Sequence, residues 1–177
     1  MNAWIVTERL ELRALREADA PIIAAYRNDP QVAQYQSWKL PYTQEDAARL
    51  VTERGDRQPG NPGWVQIGLE VRETGELIGD VALNTQGQEA ELGVTLSASA
   101  QGRGYASEGL RALIGFAFAT LGLERVRAEI DPRNLAVERL LLLLGFRHTV
   151  TQYGGYLNRG EWTDNAVYTL VGEEWLT

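Results

Sequence analysis

Residues 97–110 read SASAQGRGYASEGL, a run of small residues with two glycines that leads directly into a helical pattern. Glycines before a helix let several backbone N–H groups turn toward one point, because no Cβ stands in the way. The helix N-terminus adds its own unpaired N–H groups and a partial positive charge. This stretch therefore predicts an anion site, of the kind that most often holds phosphate.

The rest of the chain predicts one mixed domain around a single sheet. Period-two alternation of apolar residues marks strands, and a 3.6-residue period marks helices. The predicted elements are, in order, strand TERLELRAL (7–15), a helix from an Asp19 N-cap to about Asn28, a helix from a Thr43–Asp46 capping box, strands WVQIGLEV (64–71), LIGDVALN (77–84) and EAELGVTL (89–96), a helix after residue 104, strand RVRAEI (125–130), helix LAVERLLLLL (135–144), strand GFRHTVTQY (145–153), a turn-rich stretch and strand NAVYTLV (165–171). This order indicates an α+β (mixed α/β) fold.

Two predicted helices have informative faces. The first places its core residues on one side, with Glu108 and Ala112 pointing away; the core residues are Ala106, Leu110, Leu113, Ile114, Ala117 and Leu121. In the second, Val137, Leu140, Leu141 and Leu144 share the core face and Leu142 projects nearly opposite. An exposed leucine is common, and a homodimer or partner contact at Leu142 is the alternative hypothesis.

Composition excludes several classes of function. The 177 residues are the size of one domain, so we expect a single domain over residues 1–177. The chain has no cysteine, which excludes disulfides, thiolate zinc sites and a cysteine nucleophile, and we expect no metal. A net charge of -7 argues against nucleic-acid binding. The N-terminus lacks a signal-peptide pattern and the apolar run Leu140–Leu144 is too short to cross a bilayer, so we expect a cytoplasmic protein with no membrane partner.

His148 is the only histidine, so a Ser–His–Asp triad would have to use it. It follows a Gly-Phe turn into a predicted strand, which is a poor position for a triad base. A half-exposed strand histidine is the better interpretation. Carboxylates, tyrosines, backbone N–H groups or water must then perform any chemistry.

Three interpretations of the glycine stretch compete. It could be a plain turn that joins a strand to a helix. Gly102-x-Gly104-x-x-Ser107 nearly fits the dinucleotide fingerprint G-x-G-x-x-G, but that motif needs a parallel β-α-β unit with its glycines directly after the strand. Gln101-x-x-Gly104-x-Ala106 has the form Q/R-x-x-G-x-G/A, which resembles the pyrophosphate-binding signature of the GNAT superfamily of acetyl-CoA-dependent N-acyltransferases.

The resemblance covers about 165 residues, nearly the whole chain. The opening TERLELRALREADA resembles the ribosomal-protein N-acetyltransferase branch, whose members modify N-terminal amino groups. The stretches that resemble later family motifs are TGELIGDVAL (74–83), AELGVTL (90–96), GRGYASEGLRALIGFAF (102–118), LGLERVRAEIDPRNLAVERLLLLLGFR (121–147) and GEWTDNAVYTL (160–170). The resemblance implies a mostly antiparallel sheet that splays between its fourth and fifth strands, with acetyl-CoA in the cleft.

The resemblance also implies a set of cofactor-binding residues. Main-chain N–H groups from Gly102 to Ala106 would hold the CoA pyrophosphate, and strand-edge groups near Leu96 would hold the pantetheine arm. Asn134 matches the family asparagine that contacts the cofactor, although it could equally be a helix N-cap. The implied set is Val94, Leu96, Gln101, Gly102, Arg103, Gly104, Tyr105, Ala106 and Asn134.

For chemistry, Glu91 matches the family carboxylate that acts as a base, often through a water, and Asp80 is the weaker substitute. A backbone N–H near Val94 would stabilise the oxyanion by resemblance. The family serine that protonates the leaving thiolate is replaced by Val137, so a tyrosine (Tyr105, Tyr153 or Tyr156) or a water must substitute. Without a cysteine we expect direct transfer in a ternary complex.

The sequence gives fewer indications of the residues that bind the acceptor amine. By resemblance the first two helices and the loop after them form one wall, so Tyr35 and Trp38 are the candidate substrate-binding residues, with ordinary packing as the alternative. An acidic protein suits a cationic amine, either a protein N-terminus or a small molecule. The competing function is a CoA-binding sensor that has lost catalysis, for which Val137 is the best argument.

Overall fold

The computed structural model of the protein describes residues 3–175. Its helices and strands include the predicted ones in the predicted order and confirm the mixed α+β fold. They are β1 (Ile5–Val6), β2 (Leu10–Ala14), α1 (Ala20–Asn28), α2 (Pro30–Ala33), α3 (Gln44–Leu50), β3 (Gly63–Val71), β4 (Leu77–Gln86), β5 (Glu89–Leu96), α4 (Tyr105–Ala119), β6 (Arg125–Ile130), α5 (Leu135–Leu143), β7 (Arg147–Asn158), β8 (Glu161–Val171) and α6 (Gly172–Trp175). The short elements Ile5–Val6, Pro30–Ala33 and Gly172–Trp175 were not predicted. Across residues 3–175, none of the helices combines the length and the apolar character needed to cross a membrane.

The described strands form one sheet in the order β1-β2-β3-β4-β5-β6-β8-β7. All neighbours are antiparallel except β5 and β6, which run parallel because α4 carries the chain across between them. Their register runs from Glu89–Arg125 to Leu92–Ala128 and stops there, although β5 continues to Leu96 and β6 to Ile130. The two strands therefore separate beyond Leu92. They are the fourth and fifth of the predicted strands, so the expected splay is confirmed.

Apolar side chains cover both faces of the sheet. On one face, Leu113 and Ile114 of α4 are buried against large side chains of the strands, including Leu10 and Leu69. On the other face, α1 and α3 enclose a smaller cluster that includes Ile23. A layered arrangement of helices on a sheet is the usual way to bury the apolar side of each element.

Local sequence signals account for several element ends. The side chain of Thr43 accepts a hydrogen bond from Asp46 N, and Asp46 accepts one from Thr43 N, so the predicted capping box is confirmed. Asp19 occupies the N-cap position of α1, but its carboxylate binds Arg13 and the N–H of Arg16. The nearby buried guanidinium outcompetes the first-turn N–H groups of α1 for that carboxylate.

Three other expectations are corrected. Helix α4 ends at Ala119, so Leu121 packs on the core from the turn that follows. Glu108 is half-buried against the N-terminal strands and does not project into solvent. The turn-rich stretch is a long hairpin, because β7 continues to Asn158 and a register shift between Gln152 and Tyr156 absorbs the glycines.

Adjacent leucines in α5 give a matched test of this packing. Leu141 is 2% exposed and Leu143 is 70% exposed. We expect Leu141→Ala to lower the free energy of unfolding by about 2–5 kcal/mol, since it leaves a cavity in the core. Leu143→Ala should change it by less than about 0.5 kcal/mol. Urea unfolding of both variants checks this, and equal losses would contradict the assignment of the buried face.

Candidate functional site

A cleft opens where β5 and β6 separate. It contains a cavity of about 460 Å³ and a smaller one of about 90 Å³, and both are lined by Tyr35, Val94, Asn134 and Val137. The walls come from the end of β5, the first turn of α4, one side of α5 and the segment around α2. Because the strands no longer pair here, main-chain groups at the edge of β5 can face a ligand.

The glycine stretch forms the loop that leads from β5 into α4. Gly102 has φ 74° and Gly104 has φ 81°, both in the left-handed region that favours glycine. Gly104 is the N-cap of α4 and offers no side chain to cap the helix, so N–H groups of the first turn are left for another partner. A Cβ added to Gly102 would meet no atom of the described chain within 4 Å. The loop thus presents donors beside open space.

Most of the sequence-predicted cofactor residues lie together at the larger cavity. Gln101 donates from Nε2 to the carbonyl of Leu96 at 3.2 Å, which ties the loop to the end of β5. Arg103 is the exception, because its side chain is exposed and lies 5.2 Å from the centre of the Tyr105 ring. The predicted residues that line the cavity are Val94, Leu96, Gln101, Gly102, Gly104, Tyr105, Ala106 and Asn134.

Asn134 combines both of the roles considered for it. Its Oδ1 accepts a hydrogen bond from Val137 N at 3.4 Å and so caps α5, and the residue also lines both cavities. Val137 lines both cavities as well, in the place where a serine hydroxyl was expected from the family pattern. The cleft therefore has a polar group at the start of α5 and an apolar one in its first turn.

Glu91 lies on the opposite face of β5 from the buried Leu92. Its side chain is 20% exposed, and its Oε2 is 3.4 Å from Nη2 of Arg127. Burial raises the pKa of Glu91 and the nearby Glu129 raises it further, whereas Arg127 lowers it. A carboxyl with a raised pKa is a better proton acceptor near neutral pH. Glu91 does not appear among the residues that line either cavity.

Sequence reasoning missed Glu129, which lines the smaller cavity. Its Oε1 is 3.4 Å from Nη1 of Arg127, and its Oε2 accepts a hydrogen bond from Asn165 at 2.9 Å. Alternation along β6 places Arg127 and Glu129 on one face, and that signal could have paired Glu129 with Glu91 once the parallel register was known.

Asp80 is committed to a buried network. It is 1% exposed and accepts hydrogen bonds from Gln66 at 2.5 Å, from Arg27 at 3.3 Å and from the hydroxyl of Tyr26. Burial, and then the charge of Asp80, raise the pKa of Tyr26 well above its ordinary value, so Tyr26 remains a donor. These donors leave Glu91 as the more accessible carboxylate of the two that the sequence proposed.

Tyr35 and Trp38 are separated by the structure. Tyr35 lines both cavities, where the guanidinium of Arg133 lies 5.7 Å from its ring centre. Trp38 packs its ring on the guanidinium of Arg27 at 4.4 Å and donates from Nε1 to the carbonyl of Arg27 at 2.9 Å. Trp38 therefore lies beside the Asp80 network and lines neither cavity. His148 is exposed, with Nε2 2.8 Å from Oγ1 of Thr151, which fits the surface interpretation.

Removal of Asp80 tests whether its role is structural. Asp80→Ala leaves the buried Arg27 guanidinium without its carboxylate, and we expect a loss of about 3–5 kcal/mol in the free energy of unfolding. Glu89→Ala is the control, because its ion pair with Arg125 is half exposed on both sides and should contribute less than about 1 kcal/mol. Thermal and urea unfolding measure both, and similar small losses would argue against a structural network.

Comparisons with known proteins agree with this geometry. Residues 9–147 match the family described as "Acetyltransferase (GNAT) domain". The uncharacterised N-acetyltransferase p20 of Bacillus licheniformis is 30% identical over 174 residues, which cover 97% of each protein. A GNAT-family acetyltransferase structure from Bacillus anthracis superposes with a TM-score of 0.86 at 22% identity, covering 96% of this chain and 98% of that one.

A second structure, described as a putative ribosomal-protein-serine acetyltransferase from Vibrio cholerae, is 28% identical with a TM-score of 0.81 and covers 97% of this chain and 99% of its own. The family match spans the splayed strands, the glycine loop and α5, so the residues that line the cleft lie within the matched range. The chain is therefore an acyltransferase that belongs to the GNAT family of acetyltransferases, which use acetyl-CoA as co-substrate.

Proposed function

We propose that this enzyme acetylates a primary amine, either a protein N-terminus or a small-molecule amine, by direct transfer within a ternary complex. The observation that carries the proposal is the glycine loop, whose uncapped helix N-terminus opens into the cavity at the splay. Because the sequence contains no cysteine, the protein has no thiol that could carry the acetyl group covalently. A stable acetyl-enzyme trapped without acceptor would refute direct transfer.

In this proposal the cleft binds the donor through main-chain groups. N–H groups from Gly102 to Ala106 bind the diphosphate, and the unpaired edge of β5 near Val94 and Leu96 binds the peptide-like pantetheine arm. Asn134 contacts the same molecule from the start of α5. When bound, acetyl-CoA supplies an activated thioester at the point where β5 and β6 separate.

Glu91 is the proposed base, acting on the acceptor ammonium through a water. Its raised pKa and its position on the same face of the sheet as Asp80 of β4 support this role. A main-chain N–H near Val94 is the proposed oxyanion donor.

The leaving thiolate needs less help than an alkoxide would. Thiol pKa values lie near about 8.5, so a thiolate can depart close to neutral pH. Because Val137 has no proton to give, the hydroxyl of a cavity-lining tyrosine, Tyr35 or Tyr105, or a water takes the place of the family serine. Tyr153, which the sequence also offered as the donor, is far more exposed than Tyr105 and lies on the bulged part of β7, outside both cavities.

For the acceptor we propose the cleft wall formed by α2 and Tyr35, with Trp38 supporting it from behind. The Vibrio cholerae structure is described by its acceptor, a ribosomal-protein serine, and this supports a protein N-terminus as one class to test. Thiol release measured with N-terminal peptides, polyamines and aminoglycosides would identify the class of acceptor.

A homodimer through the exposed Leu142 also stays a prediction, which sedimentation of the wild type and Leu142→Glu would test.

A glycine pair tests donor binding. Gly102 and Gly87 both have positive φ and both face open space, but only Gly102 lines the cavity. We expect Gly102→Ala and Gly87→Ala to lose similar stability, about 1 kcal/mol. Only Gly102→Ala should raise the Kd for CoA, by about tenfold or more. Calorimetric titration measures this, and a wild-type protein that gives no heat with CoA would refute the proposed donor site.

The pH profile tests Glu91. As a base it must be ionised, so kcat/KM should fall as the pH drops through its pKa. Glu129→Gln removes a charge that raises this pKa and should move the acid limb to lower pH. Arg127→Met removes a charge that lowers it and should move the limb to higher pH. The other charged neighbours, Glu89 and Arg125, pair with each other and remain in both variants.

In the same assay Glu91→Gln should lower kcat by about 100-fold or more. Shifts of the acid limb in the same direction for both neighbouring variants would contradict the assignment of Glu91. Tight CoA binding without turnover on any amine, unchanged by Glu91→Gln, would instead indicate the sensor function, which the family comparisons do not favour.

A further inference from the structure

We propose that Arg9 is a positioning residue for the glycine loop, which it holds in the conformation that presents main-chain donors to a diphosphate. Arg9 lies in the opening TERL stretch, 94 residues before the loop in sequence. This inference rests on the proposed function, and it assigns a role to a stretch that the chemistry of the cleft does not otherwise use.

The first observation is a direct contact with the loop main chain. Nη1 of Arg9 donates to the carbonyl oxygen of Arg103 at 2.9 Å. In a planar trans peptide the C=O and N–H groups point in opposite directions, so the N–H of Gly104 points away from Arg9. A Cβ added to Gly104 would lie 3.3 Å from Nη2 of Arg9, which shows how closely the guanidinium approaches the loop. Arg9 thereby determines the direction of one of the peptide groups in the loop.

The second observation is the Tyr105 ring. The guanidinium of Arg9 lies 4.4 Å from the centre of this ring, within cation–π distance. Tyr105 is buried, lines the larger cavity and is the first residue of α4. Arg9 therefore contacts the loop at both sides of Gly104, once through a carbonyl and once through the following side chain.

The third observation is Glu108, an acidic residue in the first turn of α4. Its carboxylate accepts hydrogen bonds from Thr7 Oγ1 at 2.6 Å, from Arg9 N at 2.8 Å and from Arg9 Nε at 2.6 Å. These donors lower the pKa of Glu108, so the group stays ionised. They also hold it against the N-terminal strands, and the Arg9 guanidinium neutralises its charge.

An unneutralised carboxylate in that turn would compete with a bound anion for the positive end of the helix. A helix N-terminus favours one negative group, and a second one nearby opposes it. Arg9 removes this competition. Its side chain is 42% exposed, and ion pairs of that kind contribute little to stability, so its loss should affect ligand binding more than folding.

The test compares five proteins: wild type, Arg9→Met, Glu108→Gln, the Arg9→Met/Glu108→Gln double variant and Arg72→Met. Arg72 is the matched control, because it is also an exposed arginine at this edge and donates to the carbonyls of Thr7 and Glu8 without touching the loop. Calorimetric titration with CoA gives the Kd of each, and thermal unfolding without ligand gives its stability.

We expect Arg9→Met to raise the Kd for CoA by about tenfold, since it exposes the charge of Glu108 and frees the carbonyl of Arg103. The double variant should recover part of this loss, because the opposing charge is gone. Arg72→Met should bind as the wild type does. The thermal midpoints of Arg9→Met and Arg72→Met should agree within a few degrees.

A wild-type Kd in Arg9→Met overturns the inference, as does a double variant that binds CoA more weakly than Arg9→Met. An equal loss of CoA affinity in Arg72→Met also overturns it, because any disturbance of this edge of the sheet would then weaken binding and Arg9 would have no specific role. A wild-type protein that does not bind CoA refutes the proposed function itself, so the two failures are distinguishable.

Discussion

The separation of β5 and β6 after four residue pairs is the constraint on which the rest of the site depends. In a continuous sheet the main-chain groups of Gly93 to Leu96 would be consumed by a neighbouring strand. Here they remain at an open edge, and the space beyond them is bounded by α4 on one side and α5 on the other. A peptide-like ligand can therefore complete the sheet where a strand does not.

The crossover that makes β5 and β6 parallel also places the helix terminus. A parallel pair needs a long connection, and here that connection begins with the glycine loop and α4. The N-terminus of α4 is thereby brought to the point where the strands diverge. Donors for an anion and an open strand edge lie next to each other because one connection produces both. Arg9 and Glu108 join this loop to the N-terminal strands. The outer edge of the sheet is thereby connected to the loop that borders the cleft.

Two groups of charged residues lie on the same face of the splayed sheet, and their surroundings differ. On the α1 side, Asp80 and Arg27 form a buried pair held by additional donors, which is the arrangement a buried ion pair requires. Further along the same face, Glu91 and Glu129 share a single partly exposed Arg127 at 3.4 Å each. Burial, and then the charge of Glu129, keep the pKa of Glu91 raised against the opposing charge of Arg127, whereas the donors around Asp80 hold that group in place. Distance and burial thus separate the buried carboxylate of Asp80 from that of Glu91, the proposed base.

Sequence alone determined the order and type of the longer elements, because alternation and helical period are local properties. Local patterns therefore predicted the capping box at Thr43, the strand Glu89–Leu96 and the glycine loop. Most of the cofactor-binding residues that the loop pattern and its resemblance predicted line the larger cavity. Only the tertiary structure decided which carboxylates meet. The parallel register brings Glu129 and Arg127 to Glu91, the buried guanidinium of Arg27 takes Trp38 away from the cleft, and Glu108 turns inward to Arg9. Such contacts join residues far apart in the chain, and no local pattern encodes the distance between them.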